Sequence, residues 1–309
     1  MQLGRTPLTV TRLGLGTAPL GGLFEPVADD EAQRVVEAAW TAGIRFFDTA
    51  PLYGHGLAER RLGAVLRLKP RDEFVLATKV GRLLRADAPP DPSQSYKGVP
   101  PVNPIFDFSY DGVMRSVEES LDRLGLDRID ILHIHDPDEH FSEAVAGAYR
   151  ALDRLRSEGS IKAVGAGMNQ AEMLVRFARE ANFDCFLLAG RYTLLDRRGA
   201  VELLPLCVKR GIAIIAGGVF NSGILAHPTP GTTFDYRPAP AELVQRAAHL
   251  KSVCAGQGVE LKAAAIQFPL RHPAVASVLT GCRSVAEVEE NVRMFHAPIP
   301  DALWQQLDA

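Results

Sequence analysis

The sequence predicts an α/β protein: a (β/α)8 barrel with an N-terminal hairpin and one long Pro-rich lid loop. Three observations predict it. Short apolar runs alternate without interruption with longer stretches of helical periodicity, which implies parallel strands and right-handed crossovers. The runs are apolar at successive positions instead of every second one, as strands buried on both faces require. The alternation counts out eight strand–helix units, the number at which such a sheet closes on itself. A single domain then spans residues 1–309.

The first unit joins a strand at 14–17 to a helix at 29–42, whose Val35, Val36, Ala39 and Trp40 share a face. The second joins 44–48 to a helix at 57–68 striped by Leu57, Leu62, Val65 and Leu66. The third strand, 74–79, is followed by a helix at 111–124 carrying Val113, Val117, Leu121 and Leu124. Strands at 129–135, 161–165, 185–188 and 212–216 precede helices at 142–157, 170–181, 201–210 and 242–255, the last continued at 261–270. The final unit is 275–279 with 285–295. Leu3 and the run 8–10 suggest a hairpin closing one barrel end. Between the third strand and its helix, prolines at 89, 90, 92, 100, 101 and 104 argue against helix and sheet ladders. That segment, 82–110, leaves the C-terminal end of a strand, where barrel sites lie, and reads as a lid.

Composition narrows the function classes. Lys plus Arg number 34 against 37 Asp plus Glu, a net charge of -3, so no basic excess suits nucleic acid and no acidic tail is present. No apolar run approaches the roughly 20 residues that span a bilayer. The first ten residues lack the charged and apolar regions of a signal peptide. Cys185, Cys207, Cys254 and Cys282 form no C-x-x-C pair and read as reduced thiols of a cytoplasmic protein. With no spare apolar stripe, the expectation is a monomer whose partner is a small-molecule substrate, with no nucleic acid and no membrane.

Phosphate-loop and nucleophile-elbow motifs are absent, and Gly165-Ala166-Gly167 lacks the third glycine of a Rossmann fingerprint. Chemistry-bearing residues instead collect at strand ends: Asp48, Tyr53 in the following loop, Lys79, and His133 and His135. Each alone reads equally as a turn residue, an ion-pair partner or a packed aromatic. Together they imply function, because a buried lysine is rare without a partner. A phenol's pKa near ~10 is too high for a base at neutral pH. A lysine cation about 4 Å away contributes roughly 4 kcal/mol to the phenolate at an effective dielectric of about 20. That lowers the phenol by up to ~3 pKa units, less whatever Asp48 cancels. A histidine beside the tyrosine orients a substrate oxygen. Such a set suits carbonyl reduction or alcohol oxidation with a hydride carrier.

On these motifs the chain resembles the aldo-keto reductase superfamily, over essentially its whole length. The resemblance implies a TIM barrel, a nicotinamide cofactor, and Asp48, Tyr53, Lys79 and His135 as the catalytic tetrad, with His135 chosen over His133. It implies cofactor contacts from Gly16 and Thr17, Asp48, Met168 and Asn169, then Gly218, Val219, Phe220, Asn221 and Gly223. Gly281, Arg283, Glu287, Glu290 and Asn291 would hold the adenosine end. Substrate contacts would come from Ala18, Tyr53, His135 and Asp136. Ala189, Gly217, Ala18 and Asp136 depart from the family pattern, which usually has Gln, an aromatic, Trp and Trp there. The smaller, more polar mouth suits a hydroxylated substrate.

The segments 110–130, 135–138 and 188–193 are similar to those of bacterial aldose dehydrogenases, of the D-threo-aldose or L-fucose type, and of pyridoxal 4-dehydrogenases. That likeness implies oxidation of a cyclic hemiacetal to a lactone, with pyridoxal oxidation or general aldehyde and ketone reduction as the alternative. Gly281 and Glu287 replace the cations that bind a 2'-phosphate, so NAD is expected, with NADP possible through Arg283. A remoter alternative is a metal-dependent barrel hydrolase, since His133-x-His135 places two imidazoles on one strand face; the expectation is that no metal is bound. A non-catalytic redox-sensing subunit on the same scaffold is a further rival.

Overall fold

The computed structural model describes residues 1–90 and 95–308, so Pro92 of the lid lies outside the described residues. Eight parallel strands close into a barrel: β1 Leu13–Gly16, β2 Phe46–Asp48, β3 Val75–Val80, β4 Ile131–His135, β5 Ala163–Met168, β6 Cys185–Ala189, β7 Ala213–Gly217 and β8 Val275–Gly281. Neighbours in sequence are neighbours in the barrel, and β8 returns to β1 with Leu13 opposite Val278.

The uniformly apolar strands divide into two cores. Phe46, Val75, Ile131, Cys185 and Ile215 fill the barrel interior. Phe47, Leu76, Leu132, Val164, Phe186 and Ile214, one residue along, pack outward against the helices. Period-two geometry with both sides buried leaves no polar face, which is why alternation is absent. The hairpin is present: Leu3 N donates to Leu8 O at 2.9 Å and Val10 N to Met1 O at 2.9 Å. Leu3 and Val10 join the interior core and close the end opposite the strand C-termini.

The helices follow their apolar stripes, including Asp29–Thr41, Leu57–Leu66, Tyr110–Leu124, Ala171–Glu180, Ala241–Gly256 and Val285–His296. The helix expected at 142–157 runs as Phe141–Glu143, a π-helical stretch Ala144–Tyr149, and Arg150–Ser157. A short C-terminal helix, Asp301–Asp308, carries no strong local signal. Buried Leu303 and Leu307, with the Arg271–Asp308 ion pair at 2.9 Å, stabilise a segment too short to be helical alone.

The lid departs from expectation. Its prolines do not exclude a ladder: Arg82–Arg85 pairs antiparallel with Asn103–Phe106, Pro104 lying opposite Leu84. A two-stranded ribbon has free edges, and a proline lacking N–H is tolerated there. Beyond the ribbon, Tyr96 bridges Leu23 of the β1 loop. Phe24 N donates to Ser95 O, and Lys97 N to Gly22 O, both at 2.9 Å. The lid is thereby hydrogen-bonded across the mouth of the barrel.

Buried carboxylates tie the layers together. Asp130 accepts from Leu76 N at 2.8 Å and from Arg71 at 2.7 Å, and Asp184 repeats the device with Val164 N and Arg156. Glu59, fully buried, accepts from the Thr78 hydroxyl at 2.8 Å and from Arg123 Nε at 2.6 Å. It locks β3 to two helices one residue from Lys79. Replacing Glu59 by Ala strands a guanidinium and a hydroxyl, so unfolding by urea should show a loss of about 3–5 kcal/mol. Glu59→Gln keeps an acceptor for Thr78 and should lose less.

Candidate active site

β2, β3 and β4 carry three inward side chains to the same level. Asp48 ends β2, Lys79 is the fifth residue of β3, and His135 ends β4. Lys79 Nζ donates to Asp48 Oδ1 at 2.5 Å and to Thr49 O at 2.8 Å. Both side chains are almost wholly buried. Tyr53 reaches in from the β2 loop, its ring centroid 4.6 Å from Lys79 Nζ and 5.8 Å from the His135 ring, which stands edge-on to it at 86°. The loop takes this path because Gly54 (φ +61°) packs directly on Gly21. A Cβ on Gly54 would lie 2.2 Å from Gly21 O, so no larger residue fits. The four expected catalytic residues are thus brought together.

His133 lies one layer below, fully buried, its Nδ1 only 2.2 Å from where a Cβ on Gly165 would stand. The glycine of β5 makes room for that ring. Burial first, and then Lys79, push the His133 imidazole down to about 3, so it is neutral. Burial, Arg82 and Lys79 likewise hold His135 well below the usual histidine range. Among the described residues His135 Nδ1 has no hydrogen-bond partner, whereas Nε2 lies 3.5 Å from the Asp136 carboxylate. That carboxylate favours the proton on Nε2, making His135 a neutral donor towards the cavity.

The expected lowering of the Tyr53 phenol does not occur. Burial, and then the Asp48 charge, hold it well above the ordinary tyrosine value. Lys79, held by Asp48 at 2.5 Å, does not offset these two causes. Burial also raises Asp48, with Lys79 opposing it. Tyr53 is therefore a protonated phenol over a neutral ion pair, suited to donate a proton to a carbonyl or to take one from an alcohol in base.

Two cavities meet at Tyr53. The first is an elongated cleft of about 580 Å³ that runs from Asp48 and Tyr53 to Asn291. Gly16, Gly217, Gly218 and Gly281 lie along it. Val219, Phe220, Asn221, Gly223, Arg283, Glu287 and Glu290 also line it. Asn169 and Ala18 line both cavities. Thr17 does not line the cleft: its hydroxyl is buried and donates to Asp48 O at 3.1 Å. Met168 is buried and borders the second cavity. The Asn221 amide is used internally, donating to Gly190 O and accepting from Thr193. The residues fit a dinucleotide. The cleft is glycine-lined, and at its far end Asn291 Oδ1 is buried with no hydrogen-bond partner among the described residues, an acceptor ready for an amine.

The second cavity, about 630 Å³, opens between the lid and the β4 end. Asp136 borders it, with Arg82, Tyr96, Asp138 and Tyr236, which sequence reasoning missed. Tyr236 stands in left-handed backbone (φ 62°) on a turn pinned by Arg191, whose two Nη atoms each donate to Asp235 at 2.8 Å. No local motif announces such a pairing across 44 residues. Lys262 is a further missed lining residue of the cleft, ion-paired with Glu290.

The barrel is shared with known proteins. The aldo/keto reductase family model matches residues 12–309. The chain is 47% identical to pyridoxal 4-dehydrogenase of Microbacterium luteolum, covering 99% of this chain and 95% of the relative. It is 45% identical to D-threo-aldose 1-dehydrogenase of a Pseudomonas species, covering 97% and 94%. Among solved structures it is similar to the holo form of aldo-keto reductase AKR11C1 from Bacillus halodurans, with a TM-score of 0.81 and 26% identity over 100% of this chain and 94% of that one. A closed barrel with this composite mouth, matched by that family over nearly its whole length, makes the chain a member of the aldo/keto reductase family and an NAD(P)-dependent oxidoreductase.

Proposed function

We propose that the protein is an aldose 1-dehydrogenase that oxidises the cyclic hemiacetal of a sugar to a lactone, with NAD as the preferred cofactor. The observation that carries the reading is the polar wall beside Tyr53, where Arg82, Asp136, Asp138 and Tyr96 line one cavity. Hydroxyl-rich substrates repay such a wall, whereas an apolar carbonyl compound would leave its polar groups unpaired. The Pseudomonas relative, named for an aldose, supports the same class.

In this mechanism the hemiacetal hydroxyl lies between the Tyr53 oxygen and His135 Nε2. Tyr53, once deprotonated in base, takes the hydroxyl proton and returns to the neutral phenol, and His135 donates a hydrogen bond that orients the oxygen. Lys79, held by Asp48 and Thr49 O, stabilises the phenolate while it exists. Asp48 keeps the lysine charged in a dry site. A bound nicotinamide ring supplies the hydride acceptor. Asn169 and the glycines of the cleft would hold it, with Asn291 at the adenine end.

Cofactor preference rests on charge pairing at the adenosine end. Arg283 meets Glu25 and Glu287, each at 3.2 Å, and Lys262 meets Glu290. Both cations already face carboxylates, so a 2'-phosphate finds none free and meets three acidic groups. A second reading, pyridoxal oxidation, is favoured by the aromatic rings of Tyr96 and Tyr236 at the same cavity and by the Microbacterium relative. Pyridoxal closes through its hydroxymethyl arm to a cyclic hemiacetal, so the bond chemistry is shared.

A panel of aldoses plus pyridoxal, assayed with NAD and NADP by the absorbance of the reduced cofactor, should show aldose oxidation; turnover of pyridoxal alone would replace the first reading by the second. Tyr53→Phe should lower kcat at least about 100-fold, while cofactor affinity measured by fluorescence titration stays unchanged. Because the Tyr53 phenol is held above 10, kcat/KM for oxidation should rise steadily with pH through the alkaline range. His135, neutral throughout, should add no limb near pH 6.5. NAD should exceed NADP by more than about tenfold in kcat/KM. Glu287→Gln should narrow that ratio by up to about tenfold, the scale of one charge contact.

A further inference from the structure

Between the lid and the end of β4 lies a charge pair that the proton transfer at Tyr53 leaves unused. Asp136 directly follows His135 and has left-handed backbone, φ 41°. Its N–H donates to Gly167 O at 3.0 Å, which anchors the turn on β5. The carboxylate Oδ2 comes to rest 3.5 Å from His135 Nε2 and 3.3 Å from Arg82 Nη2. Arg82 is itself steadied by the lid, its guanidinium 4.8 Å from the centre of the Phe106 ring.

A carboxylate offers about four acceptor positions. The bond to Arg82 is at the long end of the range and uses one of them, and Asp136 borders the cavity. The spacing says what the others would meet. Oxygens on neighbouring ring carbons sit about one hydrogen-bond length apart. An oxygen received at His135 Nε2 therefore puts the next hydroxyl of the ring within reach of Asp136. A hydroxyl donates and a carboxylate only accepts; burial raises the Asp136 carboxyl above its ordinary range, and the adjacent Arg82 guanidinium opposes that shift.

We propose that Asp136, braced by Arg82, is the specificity-determining residue for the hydroxyl on the carbon next to the one oxidised, the C2 hydroxyl of an aldose. This rests on the hemiacetal oxidation proposed above. Asp136 performs no proton transfer. It selects substrates by an acceptor that only a 2-hydroxy compound satisfies, and a 2-deoxy sugar leaves that acceptor facing a methylene.

The test compares an aldose that the enzyme oxidises with its 2-deoxy and 3-deoxy analogues, in the wild type and in Asp136→Asn and Asp136→Gly. Asn and Gly both accept left-handed backbone, so the turn survives in each, and thermal melting checks this. The wild type should use the 2-deoxy sugar about 10- to 100-fold less efficiently in kcat/KM, the scale of one hydrogen bond to a charged group. In Asp136→Gly that ratio should fall towards one, and in Asp136→Asn, whose amide oxygen still accepts but carries no charge, it should fall part of the way, while the 3-deoxy ratio stays as in the wild type. A 2-deoxy ratio near one in the wild type, or one unchanged in both variants, overturns the proposal and leaves aldose oxidation standing. Failure to oxidise any aldose overturns both.

Discussion

Lys79 and Asp48 meet at 2.5 Å in the barrel interior, with both side chains closed off from solvent. Neither charge is tolerable there alone, since removing one partner of a buried pair costs about 3–5 kcal/mol. The pair therefore constrains everything around it. β2 and β3 must be neighbours in a fixed register, with Asp48 opposite Ala77. Thr49 O must turn inward as the second acceptor, and the β2 loop must leave in a direction that brings Tyr53 over the ammonium group. Glu59 reinforces the arrangement from outside the barrel, gripping Thr78 next to Lys79.

The pair also bears on the electrostatics of the phenol. A free lysine under Tyr53 would pull it towards phenolate, but burial first and then the Asp48 charge raise the phenol, which stays protonated. The same device recurs at the mouth, where Arg82 faces Asp136, Arg191 faces Asp235, Arg283 faces Glu25 and Glu287, and Lys262 faces Glu290. Charges are balanced locally, within a few ångströms. A net charge of -3 is the natural sum of such pairs, and the molecule presents no strong field for steering a charged ligand.

Much of the framework was legible because its signals are local. The strands announce themselves by apolar runs, the helices by stripes, and Asp48, Lys79 and His135 by standing at the ends of runs. The cleft glycines and Asn169 fall in recognisable family stretches. Other features escaped for physical reasons. The lid ribbon was masked by prolines that an unpaired edge tolerates, as Pro104 shows. The helix Asp301–Asp308 depends on burying Leu303 and Leu307, not on its own propensity. Arg82, Tyr96 and Tyr236 reach the second cavity from loops whose paths follow from pairings far apart in sequence. The sign of the Tyr53 shift followed from its burial and from the Asp48 charge beside it, neither of which composition contains.

Residue order alone specified a (β/α)8 barrel, the identity of its four polar strand-end residues and the class of chemistry they support. Periodicity and residue type act within a few neighbours along the chain, and a barrel repeats such local choices. Three-dimensional packing alone decided which loops roof the site, which cations are already paired, and whether Tyr53 sits in a field or in a neutral, dry setting. Those properties arise from contacts between segments tens to hundreds of residues apart, where ångström separations set the energy and spacing along the chain carries no information about them.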